Sequence, residues 1–312
     1  MPNKQLESII ENVEKVIYGK KQSAEFLLIA LLCQSHVLIE DVPGVGKTSL
    51  VSALAKSVDC SFRRIQFTPD LMPSDITGFS VYNQKTGEFD YHEGQVMASF
   101  VLADEINRAS PKTQSALLEA MEEAQVTVDG ITHRLPRPFM VMATQNPIEY
   151  VGTYPLPEAQ IDRFLMRVAL GYPNKTQEAH ILKQYQAVNP LHALTPVFNG
   201  HAIAEAQRRV HDVFVDELIR QYIVALSTFT RNHGAASLGV SPRGSLSLCH
   251  AAQACALYND RSYVLPDDVK LMAVPVLSHR VILKQEARLK NVTAVSVIRE
   301  ALERVPAPVA QL

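Results

Sequence analysis

The chain has 312 residues, 47% of them hydrophobic, and a formal charge of −2, a length and composition that suit one large or two modest domains with buried cores. That charge balance gives no excess of cations to neutralise a nucleic-acid backbone, so nucleic-acid binding is disfavoured. Four cysteines without C-x-x-C spacing, and histidines without an H-E-x-x-H pair, give no pattern for zinc or for a disulfide framework.

Leu6, Ile9, Ile10, Val13, Val16 and Ile17 share one helical face with Glu7, Glu11, Glu14 and Lys15 opposite, which predicts a helix over 5–17 that stops at Tyr18-Gly19. A second helix begins near Gln22 and contains the apolar run Phe26 to Cys33. That run is too short to span a bilayer and lacks a signal peptide's basic leader and cleavage site, so it reads as a core helix and a cytoplasmic location is expected. His36-Val37-Leu38-Ile39 is the first buried strand.

The stretch Pro43-Gly44-Val45-Gly46-Lys47-Thr48-Ser49 follows that strand, and Leu50, Val51, Leu54 and Ala55 then recur at helical spacing. A glycine-rich turn between a strand and a helix is a phosphate loop. Gly44 and Gly46 let backbone N–H groups face an anion, with the positive end of the helix dipole behind them. Lys47 then reaches the β- and γ-phosphates, and the Thr48 hydroxyl is placed to coordinate Mg²⁺. The pattern G-x-x-x-x-G-K-[ST] is met except at its first glycine, where Asp41 stands. An acid there is compatible with a triphosphate if it points away and caps a backbone N–H at the turn.

Phe62 to Phe67 is the next strand. From Pro69 to Glu93, apolar and aromatic residues at 79, 81, 82, 89 and 91 around Lys85-Thr86-Gly87 predict a hairpin inserted near a helix. Phe100-Val101-Leu102-Ala103-Asp104-Glu105 is an apolar strand that ends in two carboxylates, the form of a Walker B segment. Asp104 would hold Mg²⁺ through water, and Glu105, free of the metal, would accept a proton from an attacking water.

Thr113 to Ala124 is an amphipathic helix, and Asp129-Gly130 between Val126-Thr127-Val128 and Ile131-Thr132-His133 marks a second hairpin. Phe139 to Thr144 is a buried strand that leads to Gln145-Asn146-Pro147. Asn146 thus stands at a strand's carboxyl end, where open α/β sheets bind ligands, although an asparagine before proline also suits a simple turn. Pro157 fits the first turn of a helix from Glu158 to Arg163, and Phe164 to Leu170 is a last strand before Gly171-Tyr172-Pro173. Strands alternating with helices at these lengths predict a parallel sheet covered on both faces.

Beyond Asn174 helices are expected at about 175–186, 201–213, 215–231, 244–258, 266–280 and 293–304, an all-α second domain, with a loop from Asn189 to Gly200. Ser241 caps the fourth of these with Pro242 at its first position, which puts Arg243 at a helix start where a nearby anion would stabilise it. Read alone, Arg243 is more commonly just a surface arginine.

The motifs Val42 to Thr48, Phe67 to Asp75, Leu102 to Ala109, Ala143 to Pro147, Tyr154 to Phe164 and Ser241-Pro242-Arg243 together resemble those of the AAA+ ATPases, and within them the MoxR family. The resemblance implies an α/β fold: an αβα core over 1–173 with a five-stranded, mostly parallel sheet, then a small helical lid over 174–312. It implies a sensor role for Asn146 in orienting water, an arginine finger at Arg163 reaching a neighbouring subunit, with Arg167 as its rival, and γ-phosphate contact by Arg243. Val16, Ile17 and Gly19 fall where the family cradles adenine, and Gln66 where it holds the Walker B glutamate in check. Lys20 stands where glutamine is common. The hairpins match two inserts that face a ring's axis or rim. ATP, Mg²⁺, a hexameric homo-oligomeric ring and a protein client, often with a von Willebrand factor A domain, are the implied partners. A non-hydrolysing nucleotide-dependent scaffold and a nucleic-acid motor are the alternatives.

Overall fold

The computed structural model describes residues 3–146, 152–185 and 190–308. Asn3 caps helix α1 (Lys4–Glu14) by accepting the Gln5 amide, and Leu6, Ile9, Ile10 and Val13 form its buried stripe. The helix ends three residues before Ile17, because Val16 and Ile17 both turn back onto the Val13 carbonyl and Gly19 adopts φ +74°. Helix α2 (Lys21–Leu32) is buried along most of its length. Strand β1 (Val37–Glu40), helix α3 (Lys47–Ser57) and strand β2 (Phe62–Gln66) follow.

A short helix α4 (Pro73–Thr77) leads into the hairpin β3 (Gly78–Asn83) and β4 (Glu88–Glu93). Next come β5 (Phe100–Asp104), α5 (Pro111–Glu123), the hairpin β6 (Gln125–Val128) and β7 (Ile131–Arg134), and β8 (Met140–Gln145). Asp129 and Gly130 both take positive φ, +50° and +79°, as the tightest hairpin turn requires. Helix α6 spans only Glu158–Ile161, with Pro157 as its cap rather than within its first turn. The last strand, β9 (Met166–Val168), is shorter than predicted. β1 offers it only Val37 to Ile39, and the Leu170 and Gly171 amides are taken by the Asp41 carboxylate instead.

The five strands form one parallel sheet in the order β2-β5-β8-β1-β9. Both faces are covered, which is why β1, β5 and β8 read as unbroken apolar runs. Val37, Ile39, Phe100, Leu102, Met140 and Met142 point toward α1, α2 and α3, while Leu38, Val101, Ala103, Val141 and Ala143 point toward Leu117, Leu118 and Met121 of α5.

The remaining chain forms α7 (Lys175–Tyr185), α8 (Pro190–Ala193), α9 (Gly200–Val210), α10 (Glu217–Asn232), α11 (Pro242–Tyr258), α12 (Pro266–Leu277), α13 (Gln285–Leu289) and α14 (Ala294–Arg304). Helix α8 lies within the expected loop; Asn189, where that loop starts, and Pro147 lie outside the described residues. This part is not purely helical, because β10 (Ala236–Leu238) pairs antiparallel with β11 (Ile282–Leu283). Ile203, Leu248, Ala251 and Ala252 join the core on the α2 side of the sheet. Among the described residues no helix is long and apolar enough to cross a membrane.

Candidate functional site

Strands β1, β2, β5 and β8 end along the same edge of the sheet, with Gln66 level with Asp104 and Glu40 level with Gln145. The loop from Asp41 to Gly46 leaves β1 there. Gly44 and Gly46 hold φ of +82° and +92°, a region in which a side chain is strained, and a Cβ on Gly46 would meet Ile17 Cδ1 at 3.3 Å. Gly46 caps α3, so the positive end of that helix opens onto the loop.

A cavity of about 360 Å³ lies over this edge. Pro43, Gly44, Gly46, Lys47, Thr48 and Ser49 form its loop side, and Arg64, Gln66, Asp104, Glu105 and Asn146 face them. The strand ends and the loop thus bring Lys47, Thr48, Asp104, Glu105 and Asn146 to one cavity. Lys47 Nζ donates to the Asp41 carbonyl at 2.9 Å, which holds the ammonium over the loop.

Asp104 is held by two neighbours: its Oδ1 accepts the Thr144 hydroxyl at 2.6 Å, and its Oδ2 accepts Arg64 Nη2 at 2.6 Å. Glu105 has a left-handed backbone, φ +57°, and its amide donates to Thr144 Oγ1 at 2.8 Å. A non-glycine residue in that conformation is strained and needs support around it, a condition that clusters at functional sites. Its Oε2 accepts Gln66 Nε2 at 2.9 Å and lies 3.3 Å from Arg108 Nε.

A second cavity of about 300 Å³ shares Gly44, Gly46 and Ser49 with the first and is closed by Val16, Ile17, Tyr18, Lys20, Val45, Pro173 and Ile181. Its largely apolar lining suits a flat aromatic base. Gly19 does not line it; its carbonyl accepts Gln177 Nε2 at 3.1 Å from α7. The two departures from the expected motif pattern meet at one turn. Asp41, buried, points away from the phosphate side and accepts the Leu170 and Gly171 amides at 2.5 and 2.7 Å. Lys20 Nζ donates to the carbonyls of Leu170, Gly171 and Tyr172 at 2.6, 3.1 and 3.1 Å. Together they fix the turn that carries the chain from β9 into the wall formed by Pro173 and α7.

Arg163 and Arg243 lie elsewhere. Arg163 Nη1 donates to the Leu118 carbonyl at 3.1 Å, and its Nη2 sits 3.2 Å from Glu122 Oε2. Arg243 Nη2 is 3.8 Å from the other oxygen of the same Glu122. Neither lines the phosphate cavity. The predicted cap is present, with Ser241 Oγ accepting the Gly244 amide at 3.2 Å, so Arg243 does start α11. Arg167 is engaged within its own sheet by Glu40 at 3.0 Å.

A model of the ATPase family associated with various cellular activities matches residues 36–166, and a model of the AAA lid domain matches 228–301. The chaperone MoxR1 of Mycobacterium tuberculosis is 43% identical over 97% of this chain and 82% of its own length. Protein MoxR of Paracoccus denitrificans is 32% identical over 95% of this chain and 94% of its own. The chain belongs to the MoxR family of AAA+ ATPases. The uncharacterised protein YeaC of Bacillus subtilis is 53% identical over 96% of this MoxR-family chain and 94% of its own length. A crystal structure from Cytophaga hutchinsonii, of a protein assigned as an ATPase, superposes with a TM-score of 0.92 at 39% identity, covering 98% of this chain and 96% of that one.

Four residues of this MoxR-family chain that shape the site had not been singled out from its sequence: Arg64, Thr144, Glu122 and Arg280. Arg64 and Thr144 had a signal, since each lies two residues before a residue that was singled out, Gln66 and Asn146, and strand periodicity puts such pairs on one face. Glu122 and Arg280 had none. Glu122 is one of several acids on an amphipathic helix, and buried Arg280 meets Asp162 Oδ1 at 2.6 Å across more than a hundred residues of sequence.

Proposed function

We propose that this chain hydrolyses ATP with Mg²⁺ as a ring-forming remodeller or maturation factor of protein clients in the cytoplasm, with 1–173 as the nucleotide-binding core and 174–312 as the helical lid. A hexameric ring is the form the family pattern favours. The observation that carries this reading is the separation of the charged groups. One cavity gathers Lys47, Thr48, Asp104, Glu105 and Asn146, while Arg163 and Arg243 meet at Glu122 outside it. A site with its anion seat on one surface and its arginines on another is completed by a second copy of the chain.

The donor set suits the ligands. The loop amides and Lys47 provide for phosphates, the apolar second cavity for adenine, and a hydroxyl and a carboxylate for a hard cation. Thr48 and Asp104 would hold Mg²⁺, which supplies positive charge against the phosphate oxygens. Asn146 orients a water in line with the γ-phosphorus. The water oxygen bonds to phosphorus, the bond to the ADP oxygen breaks, and Glu105 takes the water's proton once Gln66 releases it. Lys47 and a neighbouring copy's Arg163 and Arg243 offset charge on the phosphoryl group. The Glu40 contact of Arg167 supports Arg163 as the finger.

A role in acting on proteins is supported by the relatives named as a chaperone and as MoxR proteins. A client with a von Willebrand factor A domain is the candidate that the family pattern suggests. Light scattering on ATP-loaded Glu105→Gln protein tests the assembly, with a mass of about six chains expected. A single-chain mass would overturn the shared site.

A further inference from the structure

Arg64 is a second cation beside Lys47 in the phosphate cavity, and nothing in the hydrolysis derived above uses it. It lies on β2, an edge strand, with its side chain 49% exposed. Its Nε and Nη2 both donate to Oδ2 of Asp104, at 3.0 and 2.6 Å. The same Nη2 donates to Gln66 Oε1 at 2.8 Å, and Gln66 Nε2 donates to Glu105 Oε2 at 2.9 Å. A run of hydrogen bonds thus joins the carboxylate proposed to hold the metal to the carboxylate proposed as base, and Arg64 is the link next to the metal side.

Mg²⁺ demands near-octahedral oxygen ligands and gives up water reluctantly, so a cation held through Asp104 needs those carboxylate oxygens, directly or through its hydration shell. A guanidinium 2.6 Å from Oδ2 fills that place and repels a divalent ion by like charge. The Arg64 end of this pair is half-exposed, so the guanidinium can swing out into solvent and be exchanged for another cation. We infer that Arg64 is a displaceable counter-ion of Asp104. It occupies the metal carboxylate until a divalent cation takes its place, and its departure removes a contact that holds Gln66 against Glu105. This rests on the nucleotide site proposed above and adds a coupling to it: occupation of the metal site loosens the restraint on the base.

The test measures binding rather than turnover. A fluorescent, non-hydrolysable ATP analogue is titrated with Mg²⁺ in wild type, Arg64→Gln and Arg64→Lys, and Mn²⁺ binding to the same complexes is followed by electron paramagnetic resonance. Loss of charge-assisted hydrogen bonds to Asp104 lowers the half-saturating Mg²⁺ in Arg64→Gln about tenfold. Arg64→Lys, which keeps the charge without the fork, shifts it less, and Gln66→Ala shifts it slightly in the same direction. An unchanged or raised half-saturating Mg²⁺ in Arg64→Gln, with its melting temperature near wild type, would overturn the counter-ion role. If that variant does not fold, the Arg64→Lys titration decides by the same criterion. Failure of wild type to bind the analogue at any Mg²⁺ would instead overturn the nucleotide site, and this inference with it.

Discussion

At the carboxyl edge of the sheet, Arg64, Asp104, Gln66 and Glu105 satisfy one another over 2.6 to 3.0 Å, whereas Arg163 and Arg243 share a single carboxylate, Glu122, at 3.2 and 3.8 Å. The first group stands on parallel strands whose register is fixed by the backbone ladder and the buried faces. The second stands on a helix start, a helix and the turn after α6, with Arg243 and Glu122 side chains 52% and 44% exposed. Ion pairs so exposed contribute little, so Glu122 can be exchanged for a stronger anion at small cost. Under the shared-site proposal, the difference is that between a half-site positioned within one copy and a half-site completed by a second.

The comparison is broken most directly at Arg163. Arg163→Ala should still bind ATP, because Arg163 does not line the cavity, while turnover falls by about 10³-fold or more, as loss of a finger in trans does. Mixing it with Lys47→Ala protein should restore part of the activity at mixed interfaces. Steady-state turnover against mixing ratio measures this, and a flat line would place the arginine in its own copy's site. Glu105→Gln comes next, with a loss of about 10² to 10⁴-fold in turnover and ATP binding retained. Mixing with Lys47→Ala should not rescue it, since base and lysine belong to the same cavity. Rescue equal to that of Arg163→Ala would erase the distinction between the two regions.

The first region was far more legible in the sequence than the second. Short apolar runs ending in Glu-Asp, Asp-Glu or Gln-Asn locate β1, β5 and β8 and their functional ends, because a strand buried on both faces has no room for polar residues. Asp129-Gly130 located a hairpin through local turn chemistry. The pairing of Arg64 with Asp104 was not legible, since it depends on β2 lying beside β5 although helix α4 and a hairpin separate them in the chain. The meeting of Arg163, Glu122 and Arg243 joins three distant segments. So does the use of both Asp41 and Lys20 on the turn at 170–172, which as separate positions were only departures from a motif.

The arginine side is sharpened by Asp162, the residue before Arg163. Arg280 is buried and donates to Asp162 Oδ1 at 2.6 Å, to the carbonyls of Phe164 and Leu165 at 2.8 and 2.9 Å, and to that of Val276. This guanidinium ties the segment that carries Arg163 to the end of α12. Asp162→Asn leaves it without its counter-charge, which should cost about 3 kcal/mol in chemical denaturation. ATP affinity should change little, because none of these groups lines either cavity. A loss of nucleotide binding as large as the loss of stability would mean that the two regions are one mechanical unit.

The remaining link between the regions is His36, just before β1. It is buried, its Nε2 lies 2.9 Å from the Met121 carbonyl next to Glu122, and its Nδ1 accepts the Val141 amide of β8 at 2.9 Å. The ring is therefore the neutral tautomer with its proton on Nε2, and it pins the Glu122 end of α5 to the sheet. Burial pushes its pKa down to about 4, only partly offset by the Met121 contact. The unfolded chain, with an ordinary imidazole near 6.5, binds the proton first, so the stabilisation is complete above about pH 6.5 and is lost as pH falls toward about 4. That gap corresponds to about 3 kcal/mol at the acid end, and about 2 kcal/mol near the middle of the window. His279, partly buried and with its pKa lowered by desolvation and by the charge of Arg280, acts with the same sign, so His36→Gln should flatten the acid limb of a denaturation series between pH 7 and 5 without abolishing it. An acid limb identical to wild type would show that α5 does not depend on this histidine for its seat, and that the arginine platform is held by its apolar packing alone.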